Sequence, residues 1–254
     1  MINEKFEEWA CSLSGCDGGN PDASTWLCGI EWGGGGESDE QNEKYYGTTL
    51  PREIAEGRVE ANSEYNWQHE QKYPYGKSVA KLYAAYRGHK IDDYENFLKS
   101  LDNSELYKLN LYPIAFQHTG YDLWTKYNME AVTGLQSKEL YRIWCFFNRF
   151  PEFAKRVHHH RPELIICTGV TYLIDFFACF AGNSDLASQI QVDEIEPISP
   201  TNRRSNRKYY WAKLKLGTTL AVIPFFSGSN GLNSFYLLEQ MGNRLRNIVA
   251  NNRA

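Results

Sequence analysis

Apolar runs and amphipathic stretches take turns along this chain. Residues 2–10 mix apolar and acidic side chains and predict a short helix. Trp26–Ile30 is a compact apolar run that predicts a buried strand ending at glycines. From Glu37 to His69 the pattern is lost. This polar stretch reads as a long irregular excursion, a kind of segment that is usually functional or mobile. After Gly76, the positions Val79, Leu82, Tyr83 and Tyr86 recur at helical spacing. A second helix is expected over Asp93–Leu101. Leu106–Phe116 reads as a strand that becomes irregular near Pro113. Ser137 suits the N-cap of a long helical stretch reaching Pro162, with a break near Pro151. Glu163–Gly169 is a continuous apolar run, as in a strand buried on both faces, and Val170–Gly182 reads as a buried helix. Two more strands are expected around Lys208–Leu216 and Thr219–Phe225, then a last helix over about Asn233–Ala250. Strands alternating with helices predict an α/β domain with a largely parallel central sheet. No repeat, low-complexity tract or linker interrupts residues 1–254, so a single domain is expected.

Composition narrows the function classes. Hydrophobic residues make up 42% of the 254 residues and aromatics 15%, enough for a packed core. The formal charge of −4 gives no global positive field, so any nucleic-acid contact must come from a local patch. The six cysteines form no CxxC pair and read as reduced core residues, not metal ligands. His158–His160 are consecutive helical positions that do not share one face, which argues against a metal site there. No metal and no cofactor is expected. The acidic N-terminus is unlike a signal peptide, and no 18-residue apolar run exists. A soluble, cytoplasmic, monomeric protein is the expectation.

In open parallel sheets, sites form where strands end, and three strand ends here carry unusual chemistry. The first is Gly29-Ile30-Glu31-Trp32-Gly33, followed by Gly34, Gly35 and Gly36. The second is Asn110 in "KLNLYP". The third is "PFFSGSNGLNS", Pro224–Ser234, between a strand and a helix. Each has an ordinary reading alone: a strand-end Glu usually caps or faces water, and an Asn before a proline often caps a turn. Upstream of the third loop, Arg203, Arg204, Arg207, Lys208, Lys213 and Lys215 form a run without acids. Such a run is most often a solvated face, but in an acidic protein it also suits phosphate contact.

The set, in this order, resembles the uracil-DNA glycosylase superfamily. That family begins with a strand ending in Gly-Gln-Asp-Pro-Tyr or Gly-Glu-x-Pro-Gly, matched here by Gly29–Gly33 with Trp32 in place of the proline. "YPYGKSVAKLY" is similar to the segment whose aromatic stacks on a flipped base, with Tyr75 at that position. "KLN" places Asn110 where the family reads a base edge. "PELIICTGVTYL" is similar to a later strand-glycine-helix segment. "FFSGSNGLNS" stands in place of the family's His-Pro-Ser loop, with Phe225 or Phe226 where the histidine is. The resemblance implies a three-layer α/β sandwich and a DNA glycosylase. It implies Glu31 as the carboxylate that acts on water and the sugar, and Ile30, Gly33, Tyr75, Asn110 and Phe225 as base-binding residues. It also implies DNA contacts from Arg203, Arg204, Arg207, Lys208, Ser227, Ser229 and Asn230, with Leu232 filling the vacated stack. The partner would be DNA, double-stranded with a flipped base or single-stranded.

The chemistry is consistent with those residue types. Breaking an N-glycosidic bond builds positive charge on the sugar, which a carboxylate opposes. A side-chain amide offers donor and acceptor to one base edge. In the resemblance, Gly33 stands where the classical uracil enzymes carry a tyrosine that blocks the pyrimidine C5 position, so Gly33–Gly36 would leave room beside the base. That implies a bulky 5-substituted pyrimidine, such as the glucosylated hydroxymethylcytosine of phage DNA, and so a defence glycosylase. Two rivals use the same residues. One is a non-catalytic nucleic-acid-binding or regulatory member of the fold. The other is a small-molecule hydrolase that needs no basic patch.

Overall fold

The computed structural model describes residues 1–13, 18–31, 38–57, 65–182, 189–196 and 206–253. Within them lie seven strands: β1 (Gly18–Gly19), β2 (Thr25–Gly29), β3 (Leu106–Asn110), β4 (Leu164–Thr168), β5 (Gln191–Ile195), β6 (Arg207–Lys213) and β7 (Thr219–Ile223). They form one sheet in the order β1-β3-β2-β4-β7-β6-β5. The central four, β3-β2-β4-β7, run parallel. Three antiparallel strands complete the edges, β1 on one side and β6 with β5 on the other. Every residue of the four parallel strands is buried, as a sheet covered on both faces requires.

Side-chain alternation along the strands divides the core in two. Trp26, Cys28, Tyr107, Leu109, Ile165, Cys167 and Val222 point into one apolar cluster. It is closed by α1 (Glu4–Ala10), α9 (Lys138–Phe147), α10 (Arg149–His160) and α11 (Leu173–Ala181), through residues such as Phe6, Tyr141, Phe153 and Phe176. Leu27, Leu106, Leu164, Ile166, Ala221 and Ile223 point the other way. There α5 (Pro74–Tyr86), α6 (Tyr94–Ser100) and α12 (Phe235–Arg253) cover them. The expected α/β class with a mostly parallel centre is therefore the observed one.

Local chemistry explains where elements begin. The Asn3 side chain accepts from the Lys5 and Phe6 amides at the start of α1, and Ser137 accepts from the Leu140 amide at the start of α9. The helical stretch after Ser137 breaks at Asn148, not near Pro151. Pro151 sits in the first turn of α10, where a missing N–H costs no hydrogen bond. The excursion expected over Glu37–His69 is in part helical: α2 (Asp39–Lys44), capped by Ser38, passes through a π turn at Tyr45–Thr49 into α3 (Leu50–Glu56), and α4 (Trp67–Glu70) follows. The stretch expected as a buried helix after Gly169 opens as a 3-10 turn over Val170–Tyr172, and Ile174 on α11 is 76% exposed. Two short helices, α7 (Asp122–Lys126) and α8 (Met129–Thr133), fill the connection between β3 and α9. No helix among the described residues is long and apolar enough to cross a membrane.

Candidate functional site at the strand ends

The chain leaves β2 toward β3 on one side, while β4 and β7 lie on the other. The crevice between β2 and β4 is thus the topological switch point, where connections diverge and ligands of open parallel sheets bind. Ile30 and Glu31 follow β2 directly into it. Ile30 leans on the backbone of Gly169, so closely that a methyl group on Gly169 would fall 2.9 Å from Ile30 Cδ1. Asn110 ends β3 opposite Gly29.

On the α5 side of the sheet, Asn110 and Tyr75 converge above Gly29. A Cβ on Gly29 would lie 2.7 Å from Asn110 Oδ1 and 3.7 Å from the Tyr75 hydroxyl, so only glycine leaves room for both. Tyr75 is placed by the first turn of α5. Pro74 starts that turn, and Gly76 lets it press on α4, since a Cβ there would collide with the Glu70 carbonyl. The Tyr75 hydroxyl is 3.1 Å from Thr168 Oγ1 at the end of β4. Its ring lies 5.9 Å from Phe225 and 5.2 Å from Phe226, both just past β7. The Lys108 ammonium lies 5.3 Å from the same ring and 3.6 Å from Glu70. Three parallel strand ends thus supply an amide, a hydroxyl and two aromatic rings to one neighbourhood, and α5 adds a third ring.

Glu31 turns to the opposite side. Its side chain is 5% exposed, and both carboxylate oxygens meet Lys138 Nζ, at 3.0 Å and 3.1 Å. The Lys138 side chain is fully buried, and its ammonium also lies 4.1 Å from the centre of the Phe116 ring. Burial pushes the Glu31 carboxyl above its ordinary range, while Lys138, and after it Arg142 and His118, pull it back. Burial likewise pushes the Lys138 amine down, and Glu31 opposes that shift. Arg142 stacks near Tyr112 and Tyr172 and bonds the Tyr112 and Tyr121 hydroxyls. It borders an open groove of about 380 Å³ whose walls include Tyr121, Phe146, Phe147 and Asp175.

The third loop is held from within. Arg207 was expected at a phosphate; instead it is 1% exposed, and its guanidinium donates to the carbonyls of Gly231 and Ser229. The alternation of β6 explains this, because Arg207 and Tyr209 face the core while Lys208 faces solvent. Leu232 was expected to enter the DNA stack; it is fully buried among core residues, and its amide closes the loop onto the Phe225 carbonyl. Phe225, Ser227, Ser229 and Asn230 are exposed, and Lys208 is exposed beside Glu194. Gly33, with the glycines after it, and Arg203 and Arg204 lie outside the described residues.

Sequence reading missed Lys138, Lys108 and Thr168. Two carried a signal. A lysine in the first turn of a helix opposes the helix dipole, and a lysine inside an apolar strand needs a partner. Arg149 was missed too: it is fully buried and donates to the carbonyls of Asn110, Leu111, Ala10 and Ser12. Among the described residues no group of His, Cys, Asp and Glu could hold a metal ion; His160 pairs with Asp22. No family model, curated protein or solved structure matches this chain.

Proposed function

We propose that this chain is a DNA glycosylase that holds a flipped pyrimidine at the strand ends and hydrolyses its N-glycosidic bond. The observation that carries the reading is the convergence of the Asn110 amide and the Tyr75 hydroxyl above Gly29 at the switch point, with Glu31 two residues further along the chain and turned toward α9. A planar base needs a π-face and an edge reader, and these two side chains supply both. Phe225, 41% exposed, adds a second aromatic surface from the neighbouring loop. Glu31 is the carboxylate that opposes charge on the departing sugar and orients water. Ser227, Ser229, Asn230 and Lys208 are the DNA-facing groups of this proposal, with Arg207 holding their loop in place. The substrate is a 5-substituted pyrimidine of phage DNA, a choice that rests on Gly33–Gly36 in the sequence.

The test is single-turnover incubation with DNAs that differ only in one base: uracil, cytosine, 5-hydroxymethylcytosine or its glucosylated form. Abasic sites are then detected by alkaline strand cleavage. Abasic sites from 5-hydroxymethylcytosine or its glucosylated form, and none from cytosine, are expected. Absence of cleavage on all, with DNA still bound, would favour a second reading: a non-catalytic nucleic-acid-binding member of the same fold. One observation supports that alternative, namely that Lys138 already engages both Glu31 oxygens.

A further inference from the structure

We propose that Lys138 is the positioning residue of Glu31, fixing its carboxylate at the end of β2 and keeping it ionised. This rests on the reading of Glu31 as the reacting carboxylate. A carboxylate taken out of water tends to protonate, and a neutral carboxyl can neither oppose a sugar cation nor take a proton from water. At 5% exposure Glu31 faces that outcome unless a cation is held against it.

Three independent features point to Lys138 as that cation. Its Nζ is almost equidistant from the two Glu31 oxygens, so the single ammonium fixes the plane of the carboxylate as well as its charge. Its own ammonium is fixed in turn by the Phe116 ring on the segment after β3. Finally, it stands at the first position of α9, where the helix dipole disfavours positive charge. Helix stability gives no reason for a lysine there, and a fully buried one is rarer still; the carboxylate supplies the reason.

The groups that share this environment set what the pair can do. Arg142, on α9 and lining the groove, and His118, on the segment before α7, favour the ionised form of Glu31. Asp122 of α7 favours the charged form of Lys138, whereas Arg142 opposes it. The hydroxyls of Tyr46, Tyr141 and Tyr172 also lie within reach of the Glu31 charge. Lys138 is the cation in direct contact, so its loss outweighs what the more distant charges retain.

The experiment reads the charge of Glu31 directly. Protein labelled with 13C at glutamate carboxyls is titrated by NMR, and the Glu31 signal is assigned by its disappearance in Glu31→Gln. In wild type Glu31 is expected to be ionised at pH 7. In Lys138→Met its midpoint is expected to rise by at least one pH unit, and in Lys138→Arg it should stay near wild type. In the excision assay the acid limb of the rate–pH profile should rise with it in Lys138→Met, with Lys138→Arg keeping the wild-type limb. A protonated Glu31 in wild type at pH 7 would overturn the proposal whether or not the variants fold. So would an unmoved midpoint in folded Lys138→Met. Failure of wild type to release any base would remove the glycosylase reading while the titration still decides the role of Lys138.

Discussion

The two halves of the strand-end region are built on opposite principles. In the Asn110–Tyr75 half the groups that glycine allows to approach are a neutral amide and a phenol, with the Lys108–Glu70 pair at their edge. The Glu31 half is a buried charge pair, held by a lysine 107 positions away. Neutral groups can be buried cheaply when hydrogen-bonded. A buried ion pair rarely improves stability, yet losing one partner is costly. The first half is therefore expected to tolerate substitution in the fold and to fail in recognition. The second is expected to fail in both, and in a pH-dependent way.

The largest expected effect is on stability in the charged half. Lys138→Met leaves Glu31 buried without its partner, which costs about 3–5 kcal/mol where Glu31 is ionised. The Glu31 pKa is raised in the folded state, and removing Lys138 raises it further. A raised acid binds its proton more tightly when folded, so stability is gained as pH falls through the folded pKa. The deficit of Lys138→Met should accordingly be smaller at pH 5 than at pH 8 in urea unfolding. The mirror variant Glu31→Gln strands Lys138, whose amine is already pushed down, so its deficit should shrink as pH rises. Equal deficits at both pH values would dissolve the contrast between the halves. Replacing both residues, as Glu31→Gln with Lys138→Met, should recover most of the stability.

Next comes chemistry. In variants that remain folded, Glu31→Gln should slow base excision about 10²–10³-fold, the usual cost of one preorganised electrostatic group, with DNA binding retained. Retention of the full rate would take Glu31 out of the reaction.

The neutral half should respond more mildly and in affinity. Tyr75→Ala removes a stacking surface worth about 1–3 kcal/mol per base, and Tyr75→Phe keeps that ring while losing the hydroxyl contact with Thr168, so it should cost less affinity. Calorimetry with single-stranded oligonucleotides carrying the substrate base would separate the two. Similar losses for both would assign Tyr75 to the fold and not to the base.

The smallest effect is expected at Lys208. Its neutralisation, Lys208→Gln, should lower the salt dependence of DNA binding by about one counterion with little change in stability, since its contact with Glu194 is an exposed one. Arg207→Met, one residue earlier, should do the reverse, because Arg207 holds loop carbonyls and not phosphates. A steeper loss of salt dependence at Arg207 than at Lys208 would reverse this assignment.

What could be read from the sequence follows burial. β2, β3, β4 and β7 stand out as short apolar runs because both sheet faces are covered, and α5 and α12 stand out by periodicity. β5 does not, since Gln191, Val192 and Asp193 are exposed on an edge and carry no apolar run. Nor do the polar helices after Ser38, whose buried residues Asn42, Tyr46, Leu50 and Ile54 recur four apart but are few, include an asparagine and sit among polar neighbours. For the site, strand-end position revealed Glu31 and Asn110, because that depends on local order. Lys138 and Arg149 depend on contacts across more than a hundred residues, and Arg207 on which way one edge strand faces. No local pattern contains those.

Those separations also set a timetable. The Asn110 and Leu111 carbonyls are fastened by Arg149, which reaches at the same moment to Ala10 and Ser12, 139 and 137 residues earlier. On a ribosome, the first helix would emerge long before the guanidinium that anchors it. Pairings so distant in sequence form slowly, because closing the loop precedes any gain from the contact. A nascent chain shorter than about 150 residues should thus leave both Ala10 and the end of β3 open to protease. Protection should arrive at the two places together, once Arg149 has cleared the exit tunnel.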